Sequence, residues 1–136
     1  MLPSESRMRH RSEFTLAVRQ GARAGRPTVT GHLFTPPQPV SPGTQPAPQG
    51  EAQHGEPAKV GFIVSRAVGT AVVRNRVKRR LRVLVRGYLG VLPAGSLLVV
   101  RANPPAAAAR QADLAADLDL VMNRLVRRQV GALRHT

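Results

Sequence analysis

The stretch Lys59–Tyr88, KVGFIVSRAVGTAVVRNRVKRRLRVLVRGY, leaves a chain of this kind few ways to fold. β-Branched residues and Phe62 dominate Val60 to Ser65, as a buried strand requires. Gly69 and Thr70 break the run, and Thr70 is placed to cap a helix beginning at the next residue. From Ala71 the period changes: Val73, Val77, Leu81, Leu84 and Tyr88 recur at spacings of three and four, one stripe of a helix. The rest of that helix is cationic, with Arg74, Arg76, Lys78, Arg79, Arg80, Arg82 and Arg86 and no acidic residue between Ala71 and Tyr88. Strand, turn and amphipathic helix in that order make an α/β unit, with the apolar stripe turned to a sheet.

The unrelieved charge on that helix bears on partners. Like charges at i,i+4 repel by a few tenths of a kcal/mol, about 0.2–0.5. Arg74, Lys78 and Arg82 form such a row, as do Arg76 and Arg80. A polyanion relieves this repulsion; a basic face serving solubility alone is the plainer alternative. The whole chain agrees, with a formal net charge of +14 over 136 residues. A balance of that kind speaks of nucleic acid first and anionic membrane second. No apolar run approaches the length of a spanning helix, and the expected compartment of a chain with zero cysteines is the cytoplasm. Only Lys59 and Lys78 are lysines. Arginine forks suit phosphate and stack on bases, which favours RNA, although a GC-rich genome produces the same bias.

Phe62-Ile63-Val64-Ser65-Arg66 followed by Gly69-Thr70-Ala71-Val72-Val73-Arg74-Asn75-Arg76-Val77-Lys78-Arg79 resembles the signature of the protein subunit of bacterial ribonuclease P. There a V-G-x-x-V-S-[KR] strand leads into G-x-A-V-x-R-N-R-[IV]-K-R on a helix; Val60-Gly61, Val64-Ser65-Arg66 and Arg74-Asn75-Arg76 stand in register here. The resemblance implies an α/β (α+β) two-layer sandwich, helix–strand–strand–helix–strand–helix, with a mixed central sheet. It resembles the second domain of a small-subunit ribosomal protein. The resemblance also implies a left-handed β-α-β crossover, where physical rules alone favour the right-handed form.

Taken in order, the residues predict one domain over 1–136. Ser12 and Glu13 predict the start of a short helix carrying Phe14, Leu16, Ala17 and Val18, with Gly21 as its stop. Thr28–Thr35 reads as a strand weakened by Gly31. Residues 36–58 hold seven prolines and three glycines, no lysine or arginine, and only Glu51 and Glu56 as charges. This composition predicts a disordered insertion in a hairpin between strands. Gly87, Gly90 and Pro93-Ala94-Gly95 mark a turn, and Ser96–Ala102 a strand that Asn103-Pro104-Pro105 ends. A last helix is expected from Ala112 to Gln129, burying Leu114, Leu118, Val121, Met122 and Leu125.

The resemblance implies two RNA-facing surfaces. Arg66, Arg74, Asn75, Arg76, Lys78, Arg79, Arg80 and Arg82 would meet the catalytic RNA, Asn75 having a buried or capping amide as its alternative. A cleft between the first helix and the sheet would hold the 5′ leader of precursor tRNA, with Arg9, Arg11, Phe14, Val18, His32 and Phe34 around it. Phe14 reads equally as a core anchor. Family cleft aromatics are replaced by Val18 and Gly31, so arginine, backbone and polar groups would carry more of the contact. Nothing in the chain activates a nucleophile, and no catalytic residue is expected. His10, His32, His54 and His135 are scattered, which argues against a metal bound by the protein; Asp113 and Asp117, one turn apart, suit either a magnesium ion or the helix dipole. The resemblance implies hydrolysis by the RNA subunit with its own Mg2+, the catalytic RNA and precursor tRNA as partners, and no obligate protein partner. The alternatives are a non-catalytic ribosomal-type or chaperone-like RNA-binding protein, and a DNA-binding protein with helix 71–88 in a major groove. No heptads or helix-turn-helix support the last.

Overall fold

A computed structural model of the chain describes residues 6–36 and 57–134, with side chains of the last helix described as far as residue 127. Helix α1 (Arg11–Gln20) precedes strands β1 (Ala22–Gly25), β2 (Val29–Phe34) and β3 (Lys59–Val64). Helix α2 (Ala71–Arg86), strand β4 (Leu97–Ala102) and helix α3 (Gln111–Arg134) complete the order. The expected mixed sheet with helices is present, and the structure adds β1 to it. ARAG is too short and too mixed to read as a strand, and forms one by pairing antiparallel with β2 across the three-residue turn Arg26–Thr28.

The strand order is β1-β2-β4-β3, with β2 antiparallel and β3 parallel to β4. This corrects the predicted hairpin between β2 and β3, because β4 lies between them. The chain leaving β2 must cross the width of that strand; residues 37–56, which carry the predicted disorder, lie outside the described residues.

Register sorts the side chains onto two faces, since alternate residues of a strand point opposite ways. Cross-strand rows Arg23–His32–Val99–Gly61 and Gly25–Thr30–Arg101–Ile63 lie on one face. Rows Ala22–Leu33–Leu98–Val60 and Ala24–Gly31–Val100–Phe62 lie on the other. The second face carries the main core. It packs against Val77, Leu81 and Val85 of α2 and against Leu114, Leu118, Val121, Met122 and Leu125 of α3. The predicted stripe of α3 is buried in full. On α2, Val85 joins Val77 and Leu81 in the interior, whereas Val73, Leu84 and Tyr88 pack at its margin. The first face meets α1 in a smaller core of Met8, Ala17, Leu97 and Val99, flanked by Phe14, Leu16, Phe34 and Ile63.

Helix ends follow local chemistry. Thr70 Oγ1 accepts from Val73 N at 3.3 Å, as predicted for α2. Helix α1 starts at Arg11, with His10 at its cap in place of Ser12. The Glu13 carboxylate reaches back to accept from the backbone N–H groups of Arg9 and His10, and Lys59 Nζ bonds it at 2.9 Å. At Gly21 a Cβ would stand 2.4 Å from the Ala17 carbonyl oxygen, so the turn from α1 into β1 requires glycine.

Candidate nucleic-acid interface

Helix α2 presents its cations over the surface that the core leaves free. Arg76, Arg79 and Arg82 are exposed, as is Asn75, which excludes the buried-amide alternative for that residue. Arg66 is exposed on a short 3-10 turn, residues 66–68, between β3 and α2. Two of the arginines also serve the fold. Arg80 Nη1 donates to the Ala109 carbonyl at 3.1 Å, and Arg76 Nη2 to the Ala107 carbonyl at 3.5 Å, tying α2 to the segment that leads into α3. Arg74 is half-buried, and its Nε has no hydrogen-bond partner. Lys78 and Arg82 turn toward the β3 edge, where they share a pocket of ≈ 220 Å3 with Arg7, Met8 and Phe14. The N-terminal segment pairs there with β3, Met8 N donating to Val60 O at 2.9 Å.

The six expected cleft residues separate. Val18 and His32 line an open groove of ≈ 560 Å3 beyond the end of α1. Phe14 and Phe34 lie under α1 instead, in the smaller core. The Phe14 ring covers Gly61 so closely that a Cβ there would fall 2.4 Å from Cε1 and Cζ. Arg9 and Arg11 are exposed at the start of α1, away from the groove. The remaining lining includes Arg23, Thr30, Ile63, Ser65, Arg101 and Asn103, which the sequence reading did not assign. Only the register reveals them, since Arg23 pairs with His32 and Arg101 lies between Thr30 and Ile63.

Gly31 does not face this groove. A Cβ at position 31 would meet Val121 Cγ1 at 2.6 Å and Leu125 Cδ1 at 3.0 Å, both on α3. The expectation that Gly31 occupies a cleft position is therefore corrected by one residue: β2 offers Thr30 and His32 to the groove. His32 is 6% exposed, and its Nδ1 lacks a hydrogen-bond partner. Burial lowers its pKa, helped by the positive fields of Arg23 and Arg101, so the imidazole is held neutral beside two guanidinium groups. Neutral imidazole carries one donor and one acceptor nitrogen, and flanking arginines suit phosphate.

The acidic residues of α3 have other work. Asp117 Oδ2 accepts from Thr28 N at 3.1 Å and Thr28 Oγ1 at 2.6 Å, and Arg26 Nε stands 3.6 Å from its Oδ1. The Thr28 hydroxyl bond is the largest cause of a lowered Asp117 pKa; partial burial opposes it, and the Thr28 N–H and Arg26 add to the lowering. Asp113 Oδ2 accepts from Arg110 N at the start of α3. Both carboxylates thus hold backbone and turn. Among the described residues no three His, Cys, Asp or Glu side chains cluster as a metal site would require, and no helix is long and apolar enough to cross a membrane.

The chain is similar in sequence and in fold to known proteins. The chain is 52% identical over 126 residues to the "Ribonuclease P protein component" of Streptomyces avermitilis, covering 93% of this chain and 96% of that protein. It is 50% identical over 135 residues to the protein of the same name from Thermobifida fusca, covering 99% and 85%. Among solved structures it is similar to the Staphylococcus aureus RNase P protein, with a TM-score of 0.66 at 19% identity over 87% of this chain and 93% of that one. The Thermotoga maritima RNase P protein gives 0.62 at 22% identity, covering 89% and 96%. The likeness in structure supports the fold, and the sequence family described as Ribonuclease P matches residues 2–126. With that match spanning nearly all of the chain, it belongs to the ribonuclease P protein family.

Proposed function

We propose that this chain is the RNA-binding subunit of a ribonuclease P ribonucleoprotein that removes the 5′ leader from precursor tRNA. Helix α2 and the 3-10 turn before it bind the catalytic RNA, and the sheet groove beside α1 binds the leader. The observation that carries the second part is a polar row, the exposed Arg23 and Arg101 flanking the buried Thr30 and His32, that lines the groove beyond α1. A closed core has no use for such a row, whereas a phosphodiester strand with hydrogen-bonding bases fits it. Catalysis rests with the RNA subunit and the Mg2+ it holds. The protein's contribution is electrostatic: it neutralises phosphates that would otherwise repel one another, which lowers the Mg2+ the assembly requires.

The test is cleavage of a precursor tRNA by cognate catalytic RNA at low Mg2+, with and without this chain. Cleavage is expected to depend on the chain at low Mg2+ and to become independent of it as Mg2+ rises. Arg101→Gln is expected to weaken binding of precursor relative to mature tRNA without altering assembly with the catalytic RNA. Equal weakening for both tRNAs would remove the groove from leader binding. A chain that binds RNA but never stimulates cleavage would favour the ribosomal or chaperone-like alternative.

A further inference from the structure

The edge strand β1 borders a second groove on the opposite side of the sheet from the cleft. Ala24, Gly25 and Arg26 form one wall, and Leu120, Val121, Asn123, Arg124 and Arg127 of α3 form the other, around ≈ 390 Å3. Its floor is apolar, with Ala24 and Val121 buried and Leu120 half-exposed at 50%. Three guanidinium groups stand on its rim. Arg26 is placed by Asp117, whose carboxylate is already engaged by Thr28. Arg124 and Arg127 are exposed and take part in no ion pair among the described residues. The other nearby acid is turned aside, since Asp119 accepts from Tyr88 Oη at 2.8 Å and from Asn123 Nδ2 at 3.3 Å. An apolar shelf under unneutralised arginines has the chemistry of a nucleotide site, with phosphate at the guanidinium forks and base or ribose against leucine.

The groove and the cleft lie on opposite faces of the sheet at the same β1 edge. Arg23, the second residue of the edge strand β1, lines the cleft, and Arg26, the residue that follows β1, lines the second groove; among the described residues no strand pairs with the outer side of β1. Three residues of extended chain span only about 10 Å. A single strand of RNA leaving the cleft past Arg23 therefore arrives between Arg26 and Arg124. We propose that the β1–α3 groove binds the part of the precursor leader that lies beyond the cleft, as single-stranded RNA held by Arg26, Arg124 and Arg127 over Leu120. This rests on the cleft reading above and extends it to an outer subsite.

The experiment uses the reconstituted holoenzyme and precursor tRNAs whose leaders grow stepwise from one nucleotide to well beyond the cleft. Binding is measured across a salt series for the unaltered chain, Arg124→Gln/Arg127→Gln, Leu120→Ala and Arg101→Gln. Glutamine keeps helix propensity, and both arginines are exposed, so a thermal melt is expected to coincide with that of the unaltered chain. The double variant is expected to lose the affinity gained on leader lengthening, with affinity for the one-nucleotide leader as its internal reference. For long leaders the slope of log affinity against log salt should shrink by about 1.4, about 0.7 for each phosphate released from a single strand. Leu120→Ala should reduce the same length-dependent gain with little change in slope. If Arg101→Gln weakens every leader-bearing precursor while the double variant leaves the length dependence intact, the outer subsite is refuted and the cleft stands. If neither variant separates precursor from mature tRNA, both assignments fall. If the double variant weakens assembly with the catalytic RNA alone, the groove docks that RNA and the proposal is wrong.

Discussion

Gly31→Ala tests the proposed assignment of the leader to the His32 face of β2. The added Cβ would lie 2.6 Å from Val121 Cγ1 and 3.0 Å from Leu125 Cδ1. Neither neighbour moves easily. Val121 is β-branched on a helix, where one χ1 rotamer dominates, and both residues are essentially inaccessible, at 1% and 0%. Overpacking of this kind costs about 1–3 kcal/mol. Replacing glycine inside a strand returns about 0.5–1 kcal/mol through lower backbone entropy in the unfolded chain. The difference of those two ranges runs from about 0 to 2.5 kcal/mol and centres on a net loss of about 1.3 kcal/mol, equivalent to roughly 5 °C in Tm at about 4 °C per kcal/mol for a domain of this size. The leader should not notice, because the methyl group points away from the groove that His32 lines. Thermal melts and precursor-binding measurements on the same variant check both halves. An unchanged melt with altered discrimination between precursor and mature tRNA would place position 31 in the cleft and refute the register argument.

Asp117→Ala removes two hydrogen bonds to a carboxylate and should cost about 2–4 kcal/mol by denaturant unfolding, since hydrogen bonds to charged groups contribute about 1.5–3 kcal/mol each and this site is partly solvated. Because the folded-state pKa of Asp117 is depressed, its stabilisation is present above the unfolded carboxylate pKa and is lost as pH falls through the folded value; Asp117→Asn should flatten that acid limb of the stability curve. Replacing Arg74, Arg76 and Arg80 together by glutamine should shrink the salt slope for the catalytic RNA by roughly 0.7–0.9 per phosphate contact removed. It should also lower stability by about 1 kcal/mol through the lost bonds to Ala107 and Ala109, and a collapsed melt or an unchanged slope would deny these arginines their RNA role. Replacing residues 37–56 by a six-residue Gly/Ser linker should preserve the melt and precursor cleavage. Joining Phe34 to Lys59 by a two-residue turn should destabilise, because β2 and β3 are two strand spacings, about 10 Å, apart.

Much of this molecule is legible because local chemistry and tertiary role agree. Thr70 caps α2, the 3.6-residue period fixes the buried stripe of α3, and Pro93-Ala94-Gly95 closes the turn before β4, with Gly95 at φ 76°. The differences arise where a partner decides. ARAG becomes a strand through β2, and the insertion bridges two non-adjacent strands because β4 enters between them from later in the chain. The cleft is legible only in part for the same reason. Arg23 and Arg101 are ordinary arginines until pairing sets them beside His32 and Thr30 on one face. Phe14 reads as either core or cleft, and the structure places it on Gly61 beneath α1. Arg76 and Arg80 read as free cations, yet the backbone carbonyls before α3, which no sequence pattern marks, take part of their bonding.

The distribution of acids explains why so basic a chain folds. Every acidic residue among the described residues is engaged in the scaffold. Glu13 bonds Lys59 and the start of α1, and Asp113 bonds the backbone at the start of α3. Asp117 holds the β1–β2 turn, and Asp119 takes the Tyr88 hydroxyl, whose pKa rises to about 12 through burial and that carboxylate. Each acid joins segments far apart in sequence or fixes a helix start, and none lies on α2. Among the described residues, therefore, no acid forms an ion pair with the cationic face of α2. Self-repulsion of this size opposes folding weakly, a few tenths of a kcal/mol for each neighbouring pair, while the same charges set against phosphates gain counterion release at every contact. A mixed-sign α2 would add slightly to stability and forfeit most of that gain. This division of labour, described acids engaged in the scaffold and the arginines of α2 left to the surface, lets the chain be both folded and strongly cationic, as the proposed RNA-binding role requires.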